Sequence, residues 1–267
     1  MTYKLIAFDL DDTALTSDHR ITDRLKGAVR RAMDKGVLLV LATGRVPRGA
    51  LAYVEALGLE GLMINSQGAL ITDTSSGEIL YHTPVPMALV REIVRFMRAH
   101  GMYVQAVVPD GFYYELECRY SGEYARLNGF KGTRVDDLER DLPAEPTKML
   151  AIDEPEVILA IRDTVKAHFG GRLEATISKT QLLEMVSPSA SKGGALKWLS
   201  GRLGIAKEEM IAVGDSFNDL SMIEYAGLGV AVGNAREPVL RAADFVAPTN
   251  DEDGLAYTIE KFILGER

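Results

Sequence analysis

The chain has 267 residues, of which 47% are hydrophobic and 25% charged, and this composition excludes a disordered, collagen-like or coiled-coil protein. Lys and Arg total 30 against 38 Asp and Glu, so the net charge is −8, which argues against a nucleic-acid partner. The single cysteine, Cys118, excludes an internal disulfide and a cysteine-based zinc cluster. No apolar stretch approaches the ~20 residues of a membrane span, and the N-terminus turns acidic too early for a signal peptide. We therefore expect a cytoplasmic protein with no membrane partner.

The first third of the chain alternates between strand and helix patterns. Short apolar runs predict buried strands at 4–8, 37–42 and 62–65. Apolar residues at helical spacing predict a helix over 22–36, and a proline at the start predicts another over 47–57. This alternation is typical of a parallel sheet with helices on its faces.

The middle of the chain, residues 84–187, has a different pattern. Short strand-like segments dominate it, with few long helices between them: 102–108, 112–116, 148–152, 173–177 and 182–186. We predict an inserted α+β domain over 84–187.

The alternating pattern returns after the insertion. Helices are predicted at 192–203, 217–225 and 253–264, and strands at 210–213 and 228–232. The fold class is therefore α/β, with a parallel-sheet core formed by 1–83 and 188–267.

Polar residues follow the predicted core strands, where ligands of open α/β sheets bind. They form five short groups: Asp9-Leu10-Asp11-Asp12-Thr13, Thr43-Gly44-Arg45, Asn65-Ser66-Gln67-Gly68, Ser191-Lys192-Gly193 and Gly214-Asp215-Ser216-Phe217-Asn218-Asp219. Each group alone is as compatible with a turn or a helix cap as with a site. Together they supply carboxylates at two strand ends, a hydroxyl at a third and one lysine.

This set of side chains indicates phosphoryl chemistry. Clustered carboxylates repel one another and need a cation, and all-oxygen ligands favour Mg²⁺. The Thr43 hydroxyl, the Gly44 N–H and the Lys192 ammonium could bind phosphate oxygens. A carboxylate at Asp9 could attack phosphorus, while a protonated carboxyl group at Asp11 could donate its proton to the leaving oxygen.

These motifs, in this order and spacing, resemble the haloacid dehalogenase-like (HAD) superfamily, and its phosphatase branch in particular. The insertion between the second and third motifs looks like the type IIB cap of the Cof-type sugar-phosphate phosphatases. Further segments resemble that subfamily: Gly68-Ala69-Leu70, Ala226-Gly227, Gly233-Asn234-Ala235 and Asn250-Asp251-Glu252-Asp253-Gly254. The resemblance implies a Rossmann-like core and a Mg²⁺-dependent phosphatase acting on a small phosphorylated molecule.

The resemblance also implies roles for individual residues. Asp9 would be the nucleophile and Asp11 the general acid/base. The metal would be held by Asp9, the backbone carbonyl of Asp11 and Asp215, with Asp219 orienting its waters. The phosphoryl group would contact five residues: Leu10, Thr43, Gly44, Lys192 and Asn218. Arg45 and Gln67 are candidate substrate contacts.

The sequence departs from the family pattern at two positions, because Asp12 stands where Gly is frequent and Gln67 where Asn is usual. Two alternative functions also stay open. One is a phosphomutase of the same superfamily. The other is a phospho-acceptor or sensor domain, which has no use for an acid at Asp11 or for an inserted 84–187 domain.

Overall fold

The computed structural model describes residues 3–129 and 131–266, without the side chains of residues 127, 178 and 179. Residues 1, 2 and 267 of the predicted core and residue 130 of the predicted insertion lie outside that description. The chain forms two compact units. The first comprises the chain up to Thr43, Ala50–Leu80 and the chain from Ser191, and the second comprises Gly44–Gly49 and Tyr81–Ala190.

The strands are β1 (Leu5–Phe8), β2 (Leu38–Ala42), β3 (Leu62–Asn65), β4 (Leu70–Asp73), β5 (Ile79–His82), β6 (Val104–Val108), β7 (Gly111–Tyr114), β8 (Thr133–Arg134), β9 (Lys148–Ile152), β10 (Glu174–Lys179), β11 (Leu182–Val186), β12 (Met210–Gly214), β13 (Leu228–Ala231) and β14 (Phe245–Val246). The α-helices are α1 (Asp23–Asp34), α2 (Pro47–Leu57), α3 (Met87–Ala99), α4 (Arg119–Asn128), α5 (Pro155–Phe169), α6 (Lys192–Leu203), α7 (Leu220–Tyr225), α8 (Glu237–Ala242) and α9 (Gly254–Ile259).

The first unit is built on a sheet with the strand order β14-β13-β12-β1-β2-β3-β4-β5. All neighbours from β14 to β3 are parallel, and β4 returns antiparallel to β3. Strand β1 is buried along its whole length, as is β12, because helices cover both faces of a parallel sheet. This α/β architecture confirms the fold class predicted from the sequence.

The strand order determines where functional side chains meet. The chain runs outward from β1 to β2 and β3 on one side, and from β12 to β13 and β14 on the other. Strands β1 and β12 are therefore adjacent at the point where the order reverses, with Leu5 opposite Met210 and Phe8 opposite Val213. In such sheets the crevice beyond the carboxyl ends at this point is the ligand position.

The second unit contains a sheet with the strand order β10-β11-β9-β6-β7-β8. Its neighbours are antiparallel except β7 and β8. Apolar residues on one face, including Ala106, Met149 and Met185, pack with buried residues of α3 and α5. Leu150 lies on the other face with Phe112 and Tyr124. The unit is thus an α+β layer with its own core.

The unit boundaries lie close to the predicted domain boundaries but do not coincide with them. The second unit begins at Tyr81 and ends at Ala190, outside the predicted 84–187. It also includes Gly44–Gly49, which the sequence pattern attributed to the core. Across the described residues, no helix is both long enough and apolar enough to cross a membrane.

Candidate functional site

A buried lysine connects two of the predicted acidic residues in the first unit. The Lys192 Nζ lies 2.5 Å from Asp9 Oδ1 and 2.6 Å from Asp219 Oδ1. Asp9 follows β1, Asp219 follows β12, and Lys192 opens α6. All three side chains are buried. Asp9 and Asp219, 210 residues apart in the sequence, therefore share one ammonium group.

A third carboxylate completes the cluster. Carboxylate oxygens of Asp9, Asp215 and Asp219 all lie within 4.8 Å of one another. Asp215 Oδ1 accepts a hydrogen bond from Thr13 Oγ1 at 2.9 Å. Thr13 belongs to the first motif, so its hydroxyl joins the loops that follow β1 and β12.

Burial and crowding shift the pKa values of this cluster. Burial raises the pKa of Asp215 to about 7, with a further contribution from the negative charge of Asp219, while the Thr13 hydrogen bond opposes the shift. Burial also raises the pKa of Asp9, although the Lys192 ammonium counteracts it. Burial alone would lower the pKa of Lys192, but the attraction of Asp219 and Asp9 outweighs it and the pKa is raised.

The donor set fits a hard divalent cation. Three buried carboxylates converge, and Lys192 donates to two of them, Asp9 and Asp219. Burial, and then the negative charge of Asp219, raise the pKa of Asp215, and a bound cation would favour its charged form. All the ligand atoms are oxygens, which Mg²⁺ prefers over the softer transition metals. The cluster comprises the carboxylates of Asp9 and Asp215, to which the resemblance gave a metal-binding role, and that of Asp219.

Asp219 is held by the backbone of its own loop. Its Oδ2 accepts hydrogen bonds from the N–H groups of Asp215 and Ser216, both at 3.0 Å. A Cβ on Gly214 would lie 2.4 Å from the Cβ of Asp219, so only glycine allows this approach. The loop geometry therefore fixes the Asp219 carboxylate against Lys192.

The position of Lys192 follows from the residues on either side of it. Ser191 caps α6, with its hydroxyl accepting from the Gly194 N–H at 3.0 Å. A Cβ on Gly193 would lie 2.1 Å from the backbone oxygen of Ser221, and the Gly193 N–H donates to the Ser221 hydroxyl. The predicted Ser191-Lys192-Gly193 group thus contains one charged residue between a helix cap and a close-packing glycine.

The three acids that follow β1 differ in their exposure to solvent. Asp9 is buried, Asp11 is partly buried and Asp12 is exposed. Asp12 has a φ of +60°, a left-handed conformation that glycine adopts without strain. The Asp12 side chain is exposed, and its negative charge adds to the raised pKa of Asp215. Leu10, whose N–H is a predicted phosphate contact, lies in this loop and is fully buried.

The turn after β3 contacts two other predicted groups. The Gln67 N–H donates to the Thr43 carbonyl at 3.3 Å, and Thr43 is fully buried at the end of β2. The Asn218 side-chain amide donates to Gln67 Oε1 at 2.7 Å. The structure therefore brings Thr43, Gln67 and Asn218 into one connected set within the first unit.

Two predicted residues, Gly44 and Arg45, are grouped with the second unit. The Gly44 carbonyl accepts a hydrogen bond from Lys148 Nζ at 3.0 Å, and Lys148 forms a buried ion pair with Glu184 at 2.8 Å. The Arg45 guanidinium contacts the Gly49 carbonyl. The sequence did not predict a role for Lys148, because a single lysine at the start of a strand carries no motif.

Thr13 contacts the carboxylate cluster through Asp215, and the sequence analysis assigned it no role. It is fifth in the Asp9–Thr13 group, and its only signal was its place in that motif. Its partner Asp215 is 202 residues away, so the contact depends on β1 and β12 being neighbours.

Comparison with known proteins identifies the family. A family model described as a haloacid dehalogenase-like hydrolase matches residues 6–259. The chain belongs to the haloacid dehalogenase-like hydrolase family, which confirms the predicted family.

Similar proteins cover almost the whole chain. The Bacillus subtilis protein named phosphatase YwpJ is 31% identical over 290 residues, covering 97% of this chain and 100% of that protein. The B. subtilis 5-amino-6-(5-phospho-D-ribitylamino)uracil phosphatase YitU is 30% identical over 264 residues, covering 97% of each. A haloacid dehalogenase-like hydrolase structure from Bacteroides thetaiotaomicron is 31% identical, with a TM-score of 0.86, over 97% of this chain and 99% of that one.

Replacing Lys192 tests the charge balance of the cluster. Lys192→Met should lower the free energy of unfolding in EDTA by about 3–5 kcal/mol, because Asp9 and Asp219 lose a buried partner. Excess MgCl₂ should recover part of this loss, since a bound cation supplies positive charge to the same carboxylates. Urea unfolding measures both effects. Lys197→Met, at an exposed position of the same helix, should change stability by less than about 0.5 kcal/mol in either buffer. An equal loss in both variants would contradict the assignment.

A glycine substitution tests the close approach in the β12 loop. Gly214→Ala should lower the free energy of unfolding by about 1–3 kcal/mol, because the added methyl group displaces Asp219. Gly201→Ala is the matched control, since its Cβ would meet nothing within 4 Å inside α6. That variant should be stabilised by about 0.5–1 kcal/mol. The prediction is wrong if urea unfolding shows the same change for both.

Proposed function

We propose that the protein is a Mg²⁺-dependent phosphatase that hydrolyses a small phosphorylated metabolite through an aspartyl-phosphate intermediate. The observation that carries this proposal is the cluster of Asp9, Asp215 and Asp219 around the buried Lys192 ammonium, at the ends of β1 and β12. The names of the relatives support the same class of reaction.

The first step transfers the phosphoryl group to Asp9. An Asp9 carboxylate oxygen forms a bond to phosphorus while the bond from phosphorus to the ester oxygen breaks. Asp11 donates a proton to that leaving oxygen, which departs as an alcohol. Lys192 lies against Asp9 and can balance charge that the incoming phosphoryl oxygens bring.

The second step returns Asp9 to its starting state. Asp11, now a carboxylate, takes a proton from water as the water oxygen bonds to phosphorus. The bond from phosphorus to the Asp9 oxygen breaks, and inorganic phosphate leaves. Asp11 exchanges a proton in both steps. A second acid two residues after the nucleophile therefore fits a hydrolase mechanism.

The metal and the phosphoryl group would each be held by their own set of residues. Asp9, Asp215 and the backbone carbonyl of Asp11 would hold Mg²⁺, which when bound offsets the negative charge of the carboxylates and the phosphate. Asp219 would keep the Asp215 loop and Lys192 in place. The phosphoryl oxygens would be contacted by Lys192, Thr43, Asn218 and the N–H groups of Leu10 and Gly44.

For the substrate we propose a phosphorylated sugar or a related polyhydroxylated compound. The relative YitU is named for a phosphoribityl compound, which carries a phosphate ester on a polyol chain. Arg45 is the candidate contact for the remainder of the substrate. A panel of phosphorylated metabolites assayed for phosphate release would identify it.

Replacing the nucleophile tests the proposed reaction. With p-nitrophenyl phosphate and Mg²⁺, Asp9→Asn should lower kcat by at least about 10³-fold, because an amide cannot form the acyl phosphate. Phosphate release measured in EDTA should be lost for the wild-type protein as well. Wild-type turnover by Asp9→Asn would exclude Asp9 as the nucleophile, and full activity in EDTA would remove Mg²⁺ from the mechanism.

Replacing the general acid/base tests the second carboxylate. Asp11→Asn should lower kcat by about 10²–10⁴-fold in the same assay, since it can neither protonate the leaving oxygen nor activate water. Asp12→Asn changes the same charge one residue later at an exposed position and should retain wild-type kcat. Equal losses in the two variants would point to a general charge effect instead.

The same assay separates the alternative functions. A phosphomutase would require a bisphosphate primer and would return the phosphoryl group to a sugar rather than to water. A phospho-acceptor domain would take up one phosphoryl group without turnover. Multiple turnovers with release of inorganic phosphate support the phosphatase proposal against both.

A further inference from the structure

The turn that joins β3 to β4 has an unusual backbone conformation. Three consecutive residues have positive φ values: Ser66 at +49°, Gln67 at +61° and Gly68 at +90°. Only the last is a glycine, so the first two hold a conformation that L-residues other than Asn and Asp rarely adopt. The Ser66 hydroxyl oxygen is also buried without a hydrogen-bond partner among the described residues. Such strain persists where surrounding contacts impose it, and it is frequent at functional sites.

Three contacts hold this turn against the other site loops of the first unit. The Gln67 N–H donates to the carbonyl of Thr43. A Cβ on Gly68 would lie 2.1 Å from the Ser191 backbone oxygen, so the turn packs directly against the start of α6. The Gln67 side chain accepts the amide hydrogen of Asn218 at 2.7 Å. The turn therefore touches the loops that contain Thr43, Lys192 and Asn218.

We propose that Gln67 is a positioning residue, which acts by orienting the Asn218 side-chain amide toward the phosphoryl group. This inference rests on the proposed phosphatase function. An Asn amide nitrogen carries two hydrogens. The hydrogen bond to Gln67 Oε1 uses one of them and fixes the amide plane, so the second points in a defined direction and can donate to a phosphoryl oxygen.

The observed hydrogen bond favours this role over direct substrate contact by Gln67. The Gln67 Oε1 already accepts from the Asn218 amide at 2.7 Å, and Asn218 is the more exposed of the two side chains. The length of Gln67 is also necessary, because an Asn at the same backbone position is one methylene shorter.

A double-mutant cycle on p-nitrophenyl phosphate hydrolysis distinguishes the two roles. Gln67→Met keeps the side-chain length but cannot accept the hydrogen bond, and it should lower kcat/KM by about 3- to 10-fold, the range that one hydrogen bond supplies. Asn218→Ala should lower kcat/KM by more. In the Asn218→Ala background, Gln67→Met should cause no further loss, because its partner is already absent. The inhibition constant of inorganic phosphate should follow the same non-additive pattern.

Gln67→Asn is the matched control for backbone strain. Asn adopts the left-handed conformation more readily than Gln, so the thermal midpoint should stay the same or rise. It is too short to reach Asn218, so kcat/KM should fall as in Gln67→Met. If Gln67→Asn instead restores wild-type kcat/KM, the loss in Gln67→Met comes from the fold, and the proposal is wrong.

The remaining outcomes are equally decisive. Multiplicative losses in the double variant would mean that Gln67 contacts the substrate directly, and they would overturn the positioning role while leaving the phosphatase proposal intact. A wild-type protein that releases no phosphate from any ester in the panel would refute the proposed function and this inference with it.

Discussion

The Lys192 ammonium, buried between Asp9 and Asp219, is the interaction on which the arrangement of the first unit depends. Burying two carboxylates is unfavourable unless a cation pairs with them, so loss of the Lys192 ammonium would destabilise the folded state. The adjacency of β1 and β12 brings the two acids together, and the start of α6 supplies the lysine. The third acid, Asp215, accepts a hydrogen bond from the Thr13 hydroxyl, and its pKa is raised by burial and by the negative charge of Asp219.

Close approach of backbones makes this charge cluster possible. Three glycines bring loops nearer than any side chain would allow: Gly68 against Ser191, Gly193 against Ser221 and Gly214 against Asp219. Each lies beside a residue of the site, so the geometry of the charges depends on positions that carry no charge. Tightly packed contacts of this kind leave little room for the acids to separate, which maintains the raised pKa values of Asp9 and Asp215 and the convergence of oxygen ligands that suits a divalent cation.

The sequence predicted those features that depend on local pattern, and α2, α6 and β9 have the predicted bounds because apolar runs and caps define them. It did not predict α4, a short helix that has an internal glycine and mostly polar residues. The candidate site residues were chosen from their positions after strands and from the family resemblance, but their hydrogen-bond partners were not predicted. Asn218 is 151 residues from Gln67, and such pairs follow from the order of strands in the sheet rather than from periodicity.

The two departures from the family pattern, Asp12 and Gln67, both occupy left-handed backbone positions. Gly, Asn and Asp adopt this conformation more easily than other residues, so the backbone strain is greater at Gln67 than at Asp12. At Asp12 the side chain extends into solvent. At Gln67 the longer side chain reaches Asn218, which compensates for the strain with a contact to a candidate phosphate ligand. The two departures therefore differ in kind, because the Gln67 side chain bonds another candidate site residue of the first unit, whereas the Asp12 side chain is exposed.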